Sequence, residues 1–369
     1  MKIEYKWKKS KAAIIKKNNN FCLSNKVNIS TNNLIEWDNF EVLKQLLHKE
    51  WLKWKVDLIY IDPPFATNNI FTIDDDNASS ISKSKNWRIA YKDNLIEEDF
   101  LEFIRERLIV LNELLSENWS IYLHIDYKIW HYIKIIMDEV FWKKNFKSDI
   151  ARIKCNPKNF SKKSYWNVKD MILFYCKWDN ATFNDIREPH SKEDITRLFT
   201  KKDEKGKFYT TIPLHAPWET VNWETWKKWN WIFPPKWRHW RTSLGKMNQW
   251  DKEWLIEWSC NWNPRKKVYP EERKWKKIQD IWTFKDGQKL QYPTQKNIEL
   301  LKRIIEMSSN ENDLILDCFW GSWTTFVASS ILNRRWIGID NSKEAITVIK
   351  SRLKKDSTEY NYIKLQNKK

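Results

Sequence analysis

Apolar residues along the chain fall into short branched or aromatic runs that alternate with amphipathic stretches. The run Val-Asp-Leu-Ile-Tyr-Ile at 56–61 has the density of a buried parallel strand, and it stops abruptly in Asp62-Pro63-Pro64-Phe65. Leu34 to Asp38 predicts a further strand with a helix over Phe40–His48 behind it. Glu98–Glu117 carries Phe100, Phe103, Leu108, Leu111 and Leu115 at helical spacing. Ile121–Ile125 predicts a buried strand ending at Asp126, and Tyr127–Phe141 a helix. Strands follow at Asp149–Ile153 and Asp170–Cys176. Near the end come a helix reaching Met307, a strand at Asp313–Asp317, a helix over Phe326–Leu332, a strand at Trp336–Ile339 stopped by Asp340, and a helix over Lys343–Leu353. Such alternation predicts a parallel sheet with both faces covered.

Two stretches break the pattern. Residues 66–94 are polar and long for a loop, and loops of that length are usually functional or mobile. Their Asp74-Asp75-Asp76 reads as a solvated run rather than a metal site, because no His or further carboxylate clusters nearby. Residues 179–289 have no long period and are rich in Lys, Arg, Pro and Trp. The chain therefore divides into a loosely held basic arm at 1–30, a discontinuous core at 31–178 and 290–355, an insertion at 179–289 and a tail at 356–369.

Charge sharpens the role of the insertion. The 369 residues hold 66 Lys plus Arg against 48 Asp plus Glu, a net charge of +18. That balance suits a polyanion, most commonly nucleic acid, although a Lys-rich solvated surface gives the same sum. Within the insertion, Pro234 to Arg241 and Asn263 to Lys267 concentrate cations with aromatic rings. Lys236, Arg238, Arg241, Arg265 and Lys266 are the candidate phosphate and base contacts. No apolar stretch approaches the ~20 residues that span a bilayer, and residues 1–20 lack the apolar segment of a secretory signal. Five scattered cysteines without a Cys-x-x-Cys pair argue against zinc or a disulfide framework and for a reducing cytoplasm.

One ratio is abnormal: 26 Trp against five Gly. Ordinary chains hold about 7% Gly, which supplies the left-handed turns that bulky residues avoid. Here Trp follows Asn at 87, 119, 223, 231 and 262, where Asn-Gly would be a turn signal. We read most of these Trp as glycine in the natural protein, from a genome that uses UGA for glycine. Trp240, Trp258 and Trp282 read as genuine.

The chemistry gathers at strand ends, where open α/β sheets bind ligands. Strand, tight turn, helix, strand and acid over residues 313–340 make a nucleotide-binding unit. Asp38 is either a nucleotide contact or the cap of the helix that follows. Alone, Asp62-Pro63-Pro64 could be an ordinary capped turn.

Together these motifs resemble the permuted amino-methyltransferases of DNA, in which the catalytic motif precedes the cofactor motif. Asp62-Pro63-Pro64-Phe65 resembles their catalytic Asp-Pro-Pro-Tyr/Phe, and Asp317 to Thr324 their cofactor loop, with Trp320 and Trp323 as departures. Tyr292 to Lys296 resembles the segment before that loop, except that Asn297 stands where Pro is usual. Trp37-Asp38 and Trp336 to Asp340 resemble the remaining cofactor motifs, and the likeness is nearest to modification subunits of type III restriction–modification systems and to solo or type II relatives. The resemblance implies a Rossmann-like α/β sheet with an inserted target-recognition region. It implies S-adenosylmethionine as cofactor, held by Asp38, Lys296, Asp317, Phe319, Gly321, Ser322, Trp323, Thr324 and Asp340, and no metal. It further implies methylation of adenine N6 in double-stranded DNA, with Asp62, Pro63, Pro64 and Phe65 catalytic. A restriction subunit and a second copy of the chain are the other partners it suggests. Cytosine-N4 or RNA methylation is the alternative chemistry. A catalytically dead DNA-binding module follows if Trp323 is genuine.

Overall fold

The computed structural model describes the chain except residues 1, 19, 49–51, 64–69, 74–77, 80–87, 93–96, 158, 160, 162, 178, 218–222, 288–294, 320–323, 344, 345, 348, 351, 352, 354–357, 368 and 369. Two compact units result, one of Met1–Asp185 with Gln279–Lys369, the other of Ile186–Ile278.

The first unit is built on a ten-stranded sheet. Its strands are β1 (Phe21–Leu23), β2 (Asn33–Glu36), β3 (Val56–Ile61), β4 (Leu115–Ile125), β5 (Phe146–Ile153), β6 (Lys169–Cys176), β7 (Ile281–Thr283), β8 (Leu314–Asp317), β9 (Arg335–Asp340) and β10 (Asn361–Asn367). Across the sheet they run β1-β10-β2-β9-β8-β3-β4-β6-β5-β7. From β10 to β4 every neighbouring pair is parallel. The central strands are apolar on both sides because helices cover both faces. Ile59, Ile61, Ile121 and Leu123 share one core with Val42 and Leu46 of α2 (Asn39–His48), Phe100, Ile104 and Leu108 of α3 (Glu97–Leu114), and Ile133 and Met137 of α4 (Trp130–Phe141). Alternation turns Leu58, Tyr60, Tyr122 and His124 to the opposite face. There the Tyr122 hydroxyl lies 2.8 Å from Ser308 Oγ, at the end of α5 (Ile298–Ser308). α6 (Thr324–Ile331) packs beside α5.

Several expectations are corrected. The strand at Lys169–Cys176 is antiparallel to both its neighbours, because a loop rather than a helix joins it to β5. Residues 1–30 are not a loose arm. Ser10 caps a short helix, α1 (Lys11–Ile15), Ile14 is buried in the main core, and Tyr5 and Lys9 bond to Glu102 and Glu106 of α3. The tail at 356–369 contributes β10, an inserted strand between β1 and β2. Asn118-Trp119 is no turn either: Trp119 lies within β4, buried against Phe141.

The second unit has its own four-stranded antiparallel sheet, from Lys201–Lys202, Phe208–Pro213, Pro264–Val268 and Ile256–Trp258. Leu214, Trp229, Trp240 and Met247 form its core. The Trp229 and Trp240 indole N–H groups donate to Asn248 Oδ1 at 2.8 Å and Lys227 O at 3.0 Å, so these large side chains are buried without losing a hydrogen bond.

Candidate active site

Connections from β8 lead to β9 on one side, and those from β3 lead to β4 on the other, so β8 and β3 flank the switch point of the sheet. The crevice outside their carboxyl ends is where such sheets hold ligands. Asp317 closes β8, and Asp62 follows the last residue of β3 directly. Pro63 is buried beside it. Pro64, Phe65, Gly321, Ser322 and Trp323, along with Trp320, lie outside the described residues.

The Asp62 carboxylate has two unlike oxygens. Oδ2 lies 2.8 Å from the ammonium of Lys296, whereas Oδ1 is buried with no hydrogen-bond partner among the described residues. A buried anionic acceptor left open in this way is costly unless something donates to it. Two residues upstream on the same face, the Tyr60 hydroxyl lies 3.0 Å from His124 Nδ1, and His124 Nε2 lies 3.3 Å from Asp170 Oδ2. Lys154 donates to Asp170 Oδ1 at 2.6 Å, and Arg152 Nη1 lies 3.5 Å from Oδ2. Burial opposes the Asp170 charge, but the hydrogen bond from His124 and the charges of Lys296 and Lys154 outweigh it and hold this carboxyl well below the usual range. Burial and the Lys296 ammonium push His124 downward, toward the neutral imidazole. Neutral His124 then donates from Nε2 to Asp170 and accepts from Tyr60 at Nδ1.

On the β8 side, Thr325 donates its hydroxyl to Asp317 Oδ2 at 2.7 Å and the Phe319 N–H reaches Oδ1 at 3.0 Å. Burial still raises the Asp317 carboxyl to about 7. Thr324 begins α6 and is buried. Phe319 is half-buried, with its ring 5.8 Å from Phe103. Asp340 closes β9, accepts the Ser342 N–H at 2.7 Å, and is raised by burial to about 6. Asp38 proves to be a helix cap: Oδ1 accepts the Phe40 and Glu41 N–H groups at 3.0 and 3.2 Å, and Oδ2 pairs with Arg107 at 3.4 Å. The pattern gave no sign of Asn39 and Arg107. Asn39 donates to Cys318 O at 2.6 Å and accepts from Arg107 Nε at 2.6 Å, tying the start of α2 to the end of β8. Four adjacent parallel strand ends thus gather Asp38, Asp340, Asp317, Phe319 and Asp62 on one edge of the sheet. Lys296, expected among the cofactor contacts, is drawn instead to Asp62.

The N6/N4 methyltransferase family model, described as DNA methylase, matches residues 56–351. The chain belongs to this DNA methylase family. It is 35% identical over 330 residues to the type II methyltransferase M.EcaI of Enterobacter cloacae, covering 88% of this chain and 70% of that protein. To the EcoP15I Mod subunit of Escherichia coli, a type III restriction–modification enzyme, it is 31% identical over 185 residues, or 47% of this chain and 24% of that one. Among solved structures, an M1.HpyAVI–SAM complex aligns with 88% of this chain and all of that one (100%) at 19% identity and a TM-score of 0.43.

In the second unit of the methylase, the candidate cations divide. Lys236 is exposed. Arg238 Nη1 lies 3.0 Å from His215 Nδ1, and Arg241 Nε donates to His215 O at 3.0 Å. Arg265 holds Thr211 through Oγ1 and the carbonyl, both at 2.8 Å. Burial first, then the charges of Arg238, Arg241 and Arg265, push the His215 pKa down, so these three arginines converge on one imidazole. Lys266 is spent on Glu272 and is largely covered. Sequence spacing did not foretell His215 as their meeting point.

Proposed function

We propose that this DNA methylase transfers a methyl group from S-adenosylmethionine to the N6 amino group of adenine in double-stranded DNA, as the modification arm of a restriction–modification system. The observation that carries the proposal is the open, buried Oδ1 of Asp62 at the end of β3. An adenine amino nitrogen is a weak nucleophile, because its lone pair is delocalised into the ring. Asp62 Oδ1 accepts one N–H and the Pro63 carbonyl the other, favouring a tetrahedral nitrogen and stabilising the positive charge that develops there. The fixed proline backbone keeps that acceptor in place at little entropic cost during reaction. Phe65 stacks on the extruded base.

The residues present suit the cofactor: Asp340 is a strand-end carboxylate able to accept from ribose hydroxyls, and Phe319 offers a half-buried apolar ring just past the end of the neighbouring strand β8. When bound, S-adenosylmethionine supplies an electrophilic methyl group on a sulfonium. Asp38, engaged in capping α2 and pairing with Arg107, shapes the site rather than holding the nucleotide. The catalytic strand β3 precedes the cofactor strand β8 in the chain, which favours the permuted group. Lys236 and the Arg238, Arg241 and Arg265 cluster are the proposed DNA contacts, and a cytoplasmic location follows from the reaction. Incubation with labelled cofactor and duplex DNA, then digestion to nucleosides, tests the base: N6-methyladenine is expected, and N4-methylcytosine or transfer to RNA alone would overturn it.

Backbone conformation supports reading many of the Trp as natural glycines. Trp54, Trp142, Trp237, Trp254 and Trp262 all have φ between 54 and 66°. All five are at least 61% exposed, so no packing compensates the strain. Trp254 sits at the residue after a helix cap, where its N–H bonds to Asp251 O and the Leu255 N–H to Trp250 O, a pair of bonds that ordinarily closes over glycine. Buried, hydrogen-bonded Trp229, Trp240, Trp282 and Trp336 belong to the opposite class. Peptide mass spectrometry of the protein from its own cells distinguishes the two residues at each position. Trp at 254 and 262 would end the proposal.

A further inference from the structure

Lys296 has a different place in the chemistry from the one its motif suggested. Its ammonium lies 2.8 Å from Asp62 Oδ2, and both side chains are nearly buried, at 9% and 13% exposure. One oxygen of Asp62 is therefore occupied while the other, Oδ1, is buried and open. The lysine is itself held in place. Asn297, the next residue, caps α5 by accepting the Glu299 N–H at 2.9 Å and donates to Lys285 O at 2.9 Å, which pins the backbone on entry to the helix. Asp170, an anion shared by His124, Lys154 and Arg152, interacts with the Lys296 charge from the neighbouring strands. His124, neutral between Tyr60 and Asp170, brings no competing cation to Asp62.

We propose that Lys296 is a positioning residue for methyl transfer: its ammonium takes Asp62 Oδ2, fixes the plane of the carboxylate, and so presents Oδ1 to the amino group of the target base. This rests on the assignment of Asp62 as amino-group acceptor. In the transfer, the nitrogen lone pair forms the N–C bond while the C–S bond breaks and its electron pair stays on sulfur. The resulting cationic nitrogen then loses a proton to Asp62 or water. Lys296, donating to Asp62 Oδ2, takes no part in that proton transfer. A second positive charge near the developing cation would by itself be unfavourable, so its benefit comes through Asp62. The gain is geometric: a carboxylate free to rotate in a buried site would spend much of its time with neither oxygen aligned.

The test compares Lys296→Met, Lys296→Gln, Asp62→Asn and the Asp62→Asn/Lys296→Met pair, each with cofactor and DNA dissociation constants and single-turnover rates. Lys296→Met is expected to slow transfer by roughly 10²-fold, with both dissociation constants within about threefold of wild type. Lys296→Gln keeps an N–H donor in place and recovers part of the loss, and it carries the test if the Met variant fails to fold. The double variant is expected to be no slower than Asp62→Asn alone. A Lys296 variant that weakens cofactor binding tenfold while keeping its transfer rate would make this lysine a cofactor contact, and fully additive losses would make it independent of Asp62. Either result overturns the proposal. Wild-type transfer by Asp62→Asn would instead remove the role of Asp62 itself.

Discussion

Replacing tryptophan by glycine should stabilise this protein at position 254 and wreck it at position 240, fourteen residues earlier. Trp254 has φ 57° and is 85% exposed. A left-handed conformation costs a residue with a Cβ about 1–2 kcal/mol, and glycine in its place gives back roughly 0.5–1 kcal/mol through a more flexible unfolded chain. At that exposure the indole is no more covered than in a realistic unfolded ensemble, so its removal loses almost no burial. Trp254→Gly should therefore gain about 0.5–1 kcal/mol. Trp240 is 0% exposed, packs on Trp229, and donates to Lys227 O. Emptying such a site costs about 3–5 kcal/mol even with alanine. Both residues belong to the unit Ile186–Ile278, so one transition can report on both. Urea denaturation, comparing midpoints at equal slope, is the assay. A Trp254→Gly variant less stable than the parent, or equal losses at both sites, would refute the conformational reasoning. The sign difference also sorts the 26 Trp into natural aromatics and stand-ins for glycine.

Other outcomes follow from the site. Asp317 is raised by burial to about 7, above its unfolded value near 4, so the folded state holds a proton that the unfolded state has lost. Its contribution is full below about pH 4 and declines as pH rises toward 7, by on the order of 4 kcal/mol. Asp317→Asn should flatten that decline in thermal melts across pH, and an unchanged profile would contradict the assignment. In the second unit, Arg241 is exposed and beside His215. Arg241→Ala should weaken DNA binding similarly across sequences and lower the salt slope by about one, measured by titration at several salt concentrations. An unaltered slope would exclude Arg241 from the phosphate contacts.

The legible parts of the chain were those whose cause is local. Val56–Ile61 is apolar in every position but one, and it became the strand that its composition predicted. The acids that end β8 and β9 were visible because they interrupt apolar runs. Partners distant in the chain were not visible. Nothing near Lys9 announces Glu106, 97 residues away, so the N-terminal segment looked unattached. The alternating Tyr-Ile-Lys-Leu at 362–365 is a strand signal, but its short length and polar surroundings hid it until β2 offered an open edge. Within the site, His124 interrupts the apolar run Ile121–Ile125 and Asp170 opens the apolar run Met171–Cys176, which was the available sign, whereas Arg152 lies in a strand of mixed polarity that gave none. Their pairing depends on β6 running against β4 and β5, which the helix–strand alternation obscured. Lys296 was assigned from its motif alone, and only the packing before α5 directs it to Asp62.

The central claim is that the open oxygen of Asp62 receives the amino group of an adenine. Single-turnover methyl transfer from labelled S-adenosylmethionine to duplex DNA, by the wild-type protein and by Asp62→Ala, tests it most directly when equilibrium DNA binding is measured on the same preparations. The account predicts N6-methyladenine from the wild type, and loss of transfer with DNA binding retained in the variant. Methyl transfer by Asp62→Ala at the wild-type rate would contradict it.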